Sequence, residues 1–241
     1  MSVLAQVDQA LLTLFDAACV TCSRPLTSDR RGPVCATCWN SVQELSPPLC
    51  VRCAEPLAVV TASPTLCAHC VQHPPSFDGA RAAGLYDGSL REIVHALKYG
   101  RHPLIAPELA RRMRLVAGHW LDDACVVPVP LHPWRSWQRG FNQADLIARA
   151  LGCPVRRLLW RGRLGRPQAG LSADERRHNV NGVYHVWWAW RPLPRRVVLV
   201  DDVLTTGATA DACARALKAA GVREVHVLTA ARAVRAHGHI V

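Results

Sequence analysis

Residues 197–209 read Val-Val-Leu-Val-Asp-Asp-Val-Leu-Thr-Thr-Gly-Ala-Thr. The four apolar residues Val197 to Val200, three of them β-branched, predict a strand buried on both faces. Two acids, Asp201 and Asp202, follow at once, then the small-residue run Thr205, Thr206, Gly207, Ala208 and Thr209, then a helical pattern ending at Gly221. An ordinary capped turn needs one acid or one hydroxyl, not this array. Loop amides, the flanking threonine hydroxyls and the positive end of the helix can together enclose a phosphate. The adjoining carboxylates can accept hydrogen bonds from the vicinal hydroxyls of a sugar, or hold Mg2+. A sugar and its phosphate are bound side by side.

Outward from this stretch, further apolar strand candidates lie at residues 80–86, 125–129 and 224–229. Helical patterns fall at residues 89–98, 107–116, 143–151 and 208–220. This alternation predicts an α/β fold, a mainly parallel sheet flanked by helices, with ligands held at the carboxyl edge. The chain has 241 residues, half of them apolar and 20% charged, a balance that excludes a disordered polypeptide and suits one or two compact units.

Charge is unevenly spread. The net charge is +11, and residues 131–196 hold thirteen arginines against three acids, a balance of +10. A polyanionic partner is expected: nucleic acid, a phosphorylated small molecule, or both. No apolar run approaches the length of about eighteen residues that spans a bilayer. The first residues, with Asp8 and Asp16 and no basic start, do not resemble a secretory signal, so a cytoplasmic protein without membrane insertion is expected.

In a reducing compartment, cysteines indicate metal binding or isolated thiols rather than disulfides. Eight of the eleven form C-x-x-C pairs before residue 71: Cys19/Cys22, Cys35/Cys38, Cys50/Cys53 and Cys67/Cys70. Twelve residues separate the first two pairs and thirteen the second two, the length of a hairpin. Two such turns grip one tetrahedral Zn2+, so the segment reads as a double zinc ribbon with two structural sites. Sequential and interleaved ligation use the same residues and both remain open. His69 lies inside the last pair and is read as a neighbour of the site or a surface side chain. The expected divisions are an amphipathic helix over residues 1–16 (Leu4, Val7, Leu11, Leu12, Phe15), the ribbons over 17–75, and the α/β unit over 76–241.

The stretch Val197 to Thr209 resembles the phosphoribosyl pyrophosphate (PRPP) motif of type I phosphoribosyltransferases. Three further segments narrow the resemblance: Leu97-Lys98-Tyr99; Val127 to Leu131 with Arg139-Gly140-Phe141-Asn142-Gln143; and Gln168 through Arg176 to Asn179. With the cysteine-rich start, they resemble the ComF family, associated with competence for DNA uptake and including GntX-like proteins. The resemblance implies that Asp201 and Asp202 bind the ribose hydroxyls of PRPP and Thr205 to Thr209 its 5-phosphate, while Pro128, Val129 and Pro130 occupy the place of the pyrophosphate loop. It also implies a mobile closing segment, here Arg161 to Tyr184, carrying Arg163, Arg166, Arg176 and Arg177.

Departure of pyrophosphate builds negative charge on the leaving group, which Mg2+ and arginines would stabilise. Arg139, Arg163 and Arg176 are the candidate clamps. Lys98 is read either as reaching a phosphate or as complementing its helix dipole. Asp145, Asp174, Glu175 and His178 are candidate bases with no distinguishing spacing. The implied activity is transfer of phosphoribosyl to an unspecified acceptor during DNA uptake or natural transformation. The alternative is a non-catalytic competence factor that handles single-stranded DNA and keeps PRPP as a ligand. For that, Trp134, Arg135 and Trp137 offer aromatic and cationic contacts to a single strand; against it, the tryptophans would pack on the ribbons. Trp187, Trp188 and Trp190 read as interface or core. A competence helicase or another DNA-uptake protein is an implied partner.

Overall fold

The acid-bearing strand sits in the middle of a parallel sheet. In the computed structural model, which describes residues 18–26, 32–58, 65–131, 137, 139–162, 183–187, 192–236 and 239–240, the strands in chain order are β1 (Gly79–Ala82), β2 (Cys125–Pro128), β3 (Leu159–Arg161), β4 (Tyr184–Val186), β5 (Arg196–Leu204), β6 (Glu224–Arg232), β7 (Arg235–Ala236) and β8 (His239–Ile240). Four of them form one sheet in the order β1-β6-β5-β2, every pairing parallel. β3 pairs antiparallel with β4, and β7 with β8.

The helices are α1 (Ala36–Asn40), α2 (Ala68–Gln72), α3 (Gly88–Tyr99), α4 (Ala106–Ala117), α5 (Gln143–Ala150) and α6 (Ala208–Ala219). Their starts follow the side chains before them: Asp87 accepts from the Gly88 amide ahead of α3, and Asn142 accepts from Ala144 ahead of α5. In α3, Leu90, Ile93, Val94 and Leu97 recur at helical spacing and are all buried. Two apolar layers result. Val198 and Val200 of β5 face the layer made by α3, α4 and α5, while Val197 and Leu199 face the layer made by α6 with β3 and β4. Burying each such side chain contributes about 1.5–3 kcal/mol.

Two boundaries differ from the sequence expectation. β5 does not stop at Val200: Asp201, Val203 and Leu204 go on to pair with Thr229, Ala231 and Arg232, because β6 is long enough to supply partner backbone groups. β1 stops at Ala82, short of the expected Tyr86, and only Leu85 rejoins the edge as a single bridge to Arg232. The turn between needs Gly84, since a Cβ there would lie 2.8 Å from the Gln43 carbonyl. The helix expected over residues 1–16, together with Trp134, Arg135, Arg163, Arg166, Asp174, Glu175, Arg176, Arg177, His178, Trp188 and Trp190, lies outside the described residues. Among the described residues no helix is long and apolar enough to cross a membrane.

The first cysteine-rich hairpin docks on the α3–α4 layer. Trp39 is fully buried there, with the Arg112 guanidinium 5.2 Å from its ring centroid and donating to its carbonyl at 2.7 Å. Trp39→Ala removes a large core side chain and is expected to lower stability by about 3–5 kcal/mol. Urea unfolding measures this; a loss below about 1 kcal/mol would show that the indole lies outside the cooperative core.

Candidate functional site: cysteine quartets and the carboxyl edge

Cys19, Cys22, Cys35 and Cys38 gather into one group and Cys50, Cys53, Cys67 and Cys70 into another, the four sulfurs of each lying within 4.8 Å of one another. Ligation is therefore sequential, and His69 belongs to neither quartet; its ring tilts against His73 at 5.2 Å. The local backbone repeats. Cys19 N donates to Arg24 O and Cys50 N to Glu55 O, both at 2.8 Å, and Ser23 and Ala54, each four residues past the first ligand, both take left-handed φ near 60° (59° and 58°). Amides of Cys35 and Cys67 donate to the sulfurs of Cys19 and Cys50, each at 3.3 Å.

A tetrahedral ion with Zn–S bonds of about 2.3 Å separates its sulfurs by roughly 3.8 Å. The pairs Cys19–Cys38, Cys22–Cys35 and Cys53–Cys67 stand 3.9, 3.8 and 3.6 Å apart. Both quartets fit Zn2+. Burial pushes the Cys53 thiol up to about 12, so a buried dication is what would hold this sulfur as a thiolate. With four sulfur ligands each site is closed, which suits structure and leaves no position for a reactant.

The second cluster stands where the parallel strands end. Lys98, in the last turn of α3, places Nζ 2.9 Å from Asp202 Oδ1, and Asp201 Oδ1 accepts from the Asp202 amide at 2.9 Å. Asp202 is buried, and its Oδ2 has no hydrogen-bond partner. A buried carboxylate oxygen left this way is costly unless a bound group donates to it. Burial, then the charge of Asp202, raise the Asp201 carboxyl to about 8, against the opposing Asp202 amide and Lys98. Both acids thus sit in strand geometry, and their charge is poorly compensated.

Beyond them Thr205 and Thr206 are exposed and Gly207 takes φ 83°, a left-handed cap that a residue with a side chain adopts only under strain. Ala208 N donates to Thr206 Oγ1 at 3.3 Å. Thr209 hydrogen-bonds to Tyr184, tying β4 to the start of α6. Across the edge, the Val129 amide donates to Val200 O at 2.9 Å and its carbonyl accepts from Asn142 Nδ2 at 3.0 Å, fixing the segment Pro128 to Pro130. Arg139 lies 4.7 Å from the Tyr99 ring centroid and donates to Gln143 at 3.2 Å. Segments far apart in sequence, at Lys98 and Tyr99, 128–130, 139–143 and 201–209, converge on one edge.

Other assignments change. Asp145 is held below the usual carboxylate range, since Arg157 and Arg149 outweigh its burial, and it is not poised as a base. Trp137 is 77% exposed rather than packed on the ribbons. Trp187 is half exposed and meets Trp160 at 5.8 Å, so it is not core. Sequence reasoning missed the pairing of Lys98 with Asp202, and missed Arg161 and Tyr184 as a pair: the guanidinium lies 5.5 Å from the ring centroid, with its buried Nε unpartnered. Three-residue strands carry no periodic signal to announce them.

Fold and quartets together define the class: a double zinc ribbon joined to an α/β domain built on a mainly parallel sheet. Residues 10–73 match the model of the double zinc ribbon domain. Competence protein F of Haemophilus influenzae is 31% identical over 92% of this chain and all of its own length. DNA utilization protein YhgH of Salmonella typhimurium is 34% identical over 87% of this chain and 94% of its own. A solved structure described as the allosteric regulatory enzyme of purine biosynthesis matches 52% of this chain at 25% identity with a TM-score of 0.35, the match spanning a quarter of that longer chain. The chain belongs to the competence protein F (ComF) family.

Two measurements check this geometry. Elemental analysis is expected to find two zinc ions per chain, and one in Cys22→Ser/Cys35→Ser. For Asp201, the raised folded carboxyl binds a proton that the unfolded chain has already released, so stability falls as pH rises from about 4 toward 8. Asp201→Asn is therefore expected to stabilise the ligand-free protein, by more at pH 8 than at pH 5 in urea melts. Equal effects at the two pH values would contradict the burial argument.

Proposed function

We propose that the protein binds PRPP together with Mg2+ at the carboxyl edge of the sheet and transfers its phosphoribosyl group to an acceptor, releasing pyrophosphate, in the service of DNA uptake. The carrying observation is the buried Asp202 oxygen without a partner, beside the raised Asp201 carboxyl and a loop of exposed threonines. In this reading Asp201 and Asp202 accept the ribose hydroxyls, and Thr205, Thr206, Gly207, Ala208 and Thr209 hold the 5-phosphate with the amides that open α6. The same reading divides the chain into ribbons over residues 17–75 and a catalytic unit over 76–241. The names of the relatives, competence and DNA utilization, support the process.

The pyrophosphate side follows from donor chemistry. Pro128 and Pro130 have no amide hydrogen and the Val129 amide is taken by Val200, so this segment offers few donors to a departing anion. Neutralisation there falls to cations: Arg139, released from Tyr99, with Arg163 and Arg176. When bound, Mg2+ supplies further charge stabilisation to the leaving group. Lys98 holds the Asp202 carboxylate oriented until substrate hydroxyls arrive.

A second reading keeps PRPP as a ligand without turnover, on a factor that handles single-stranded DNA with a helicase or another uptake protein as partner. It draws on the exposure of Trp137 within the strongly basic tract that also holds Trp134 and Arg135.

Calorimetric titration with PRPP and Mg2+ is expected to show binding that Asp201→Ala/Asp202→Ala weakens by at least about 100-fold, the loss of two charge-assisted hydrogen bonds. Pyrophosphate release on adding an acceptor, in a screen that includes single-stranded oligonucleotides, supports transfer. Binding with no release for any acceptor supports the second reading, and no binding contradicts both.

A further inference from the structure

Arg232 closes β6 and is only 2% exposed, yet it carries a full charge. Its donors are spent in two directions. Nε donates to the carbonyl of Cys53, a ligand of the second quartet, at 2.9 Å, and Nη2 pairs with Glu55, two residues further along the same knuckle. Nη1 donates to the carbonyls of Leu204 at 3.0 Å and Thr205 at 2.7 Å, where the phosphate loop begins, and to Ala233. Glu55 is also fixed by the knuckle, since its carbonyl receives the Cys50 amide. One buried guanidinium therefore joins the cysteine turn to the root of the loop.

Packing does only part of this work. Leu204 is buried with Phe77 in one apolar cluster, but Thr205 and Thr206 are exposed, and a cavity of about 380 Å³ is lined by Thr205 to Ala208 together with His69 and Arg232. Beyond Leu204 the loop borders this cavity, so its placement relies on polar contacts such as this one. A charge with five donors in a rigid fork can satisfy several carbonyls and a carboxylate at once, which an ammonium cannot. Charge also balances, because Glu55 is the counterion and desolvating either alone would be costly.

We propose that Arg232 is a positioning residue for the phosphate loop, and that through it the second cysteine quartet, rather than the first, sets the geometry in which the loop receives an anion. The first quartet reaches the α/β domain elsewhere, through Trp39 and Arg112 on the α3–α4 layer. Loss of metal from the second quartet thus loosens the loop at residues 204–208 while leaving Asp201 and Asp202 in their strand. The inference rests on the PRPP reading only for its affinity readout; loop order is measured separately.

The test compares full-length wild type with Arg232→Lys, which keeps the charge but not the fork, by hydrogen exchange of the 204–208 amides, zinc content and PRPP titration. Expected are two zinc ions, faster exchange confined to residues 204–208 and the 53–55 knuckle, and PRPP affinity reduced about tenfold or more. Unchanged exchange and affinity with both zincs retained would overturn the inference and leave the PRPP reading intact. Faster loop exchange in a protein whose wild type binds no PRPP would sustain the inference and overturn that reading. Should Arg232→Lys fail to fold, Cys67→Ser decides by the same exchange readout: loosening of the loop supports the linkage, and a loop as protected as in wild type refutes it.

Discussion

Parallel pairing of β5 with β6 spans Arg196 to Leu204, with paired residues on both sides of Asp202, and sets two adjacent carboxylates into a central strand. A strand so placed is buried on both faces by α3 to α5 on one side and α6 on the other. Asp202 is therefore buried and Asp201 half-buried within the strand. Their repulsion and desolvation are offset only in part, by Lys98 and by the Asp202 amide. The folded chain accordingly stores an unmet demand for hydrogen-bond donors at one point, and the open loop beyond it is the way in.

The same pairing determines where the ribbons meet the sheet. β6 ends level with β5, so Arg232 stands beside Leu204 and reaches both the loop and the second knuckle. The first knuckle instead inserts Trp39 into the helical layer that carries Lys98. Two small hairpins, each too small to bury much apolar area alone, are thereby attached to opposite parts of one site. The cysteine turns and the sheet edge are joined through named atoms rather than through proximity alone.

Much of this arrangement was legible in the sequence. Val197 to Val200 and the apolar spacing of Leu90, Ile93, Val94 and Leu97 announce themselves because burial on a regular element leaves a periodic trace. Four C-x-x-C pairs announce metal because few other patterns repeat at that spacing. What stayed hidden depends on tertiary partners. The extension of β5 through the acids exists only because β6 is long enough to receive it. Sequential ligation, the Lys98–Asp202 pair, the neutralisation of Asp145 by Arg149 and Arg157, and the multiple bonds of Arg232 all join residues whose sequence spacing says nothing about approach. For Trp187 composition left interface and core both open, and only the fold, which leaves this ring half exposed beside Trp160, removes the core alternative.

The most direct measurement of the central claim is a crystal structure with ribose 5-phosphate bound. The account predicts the 2- and 3-hydroxyls about 3 Å from the carboxylates of Asp201 and Asp202, with the phosphate on the amides of Thr206 to Thr209. A sugar phosphate seated elsewhere, with Asp202 Oδ2 still unpartnered and the loop empty, would contradict it.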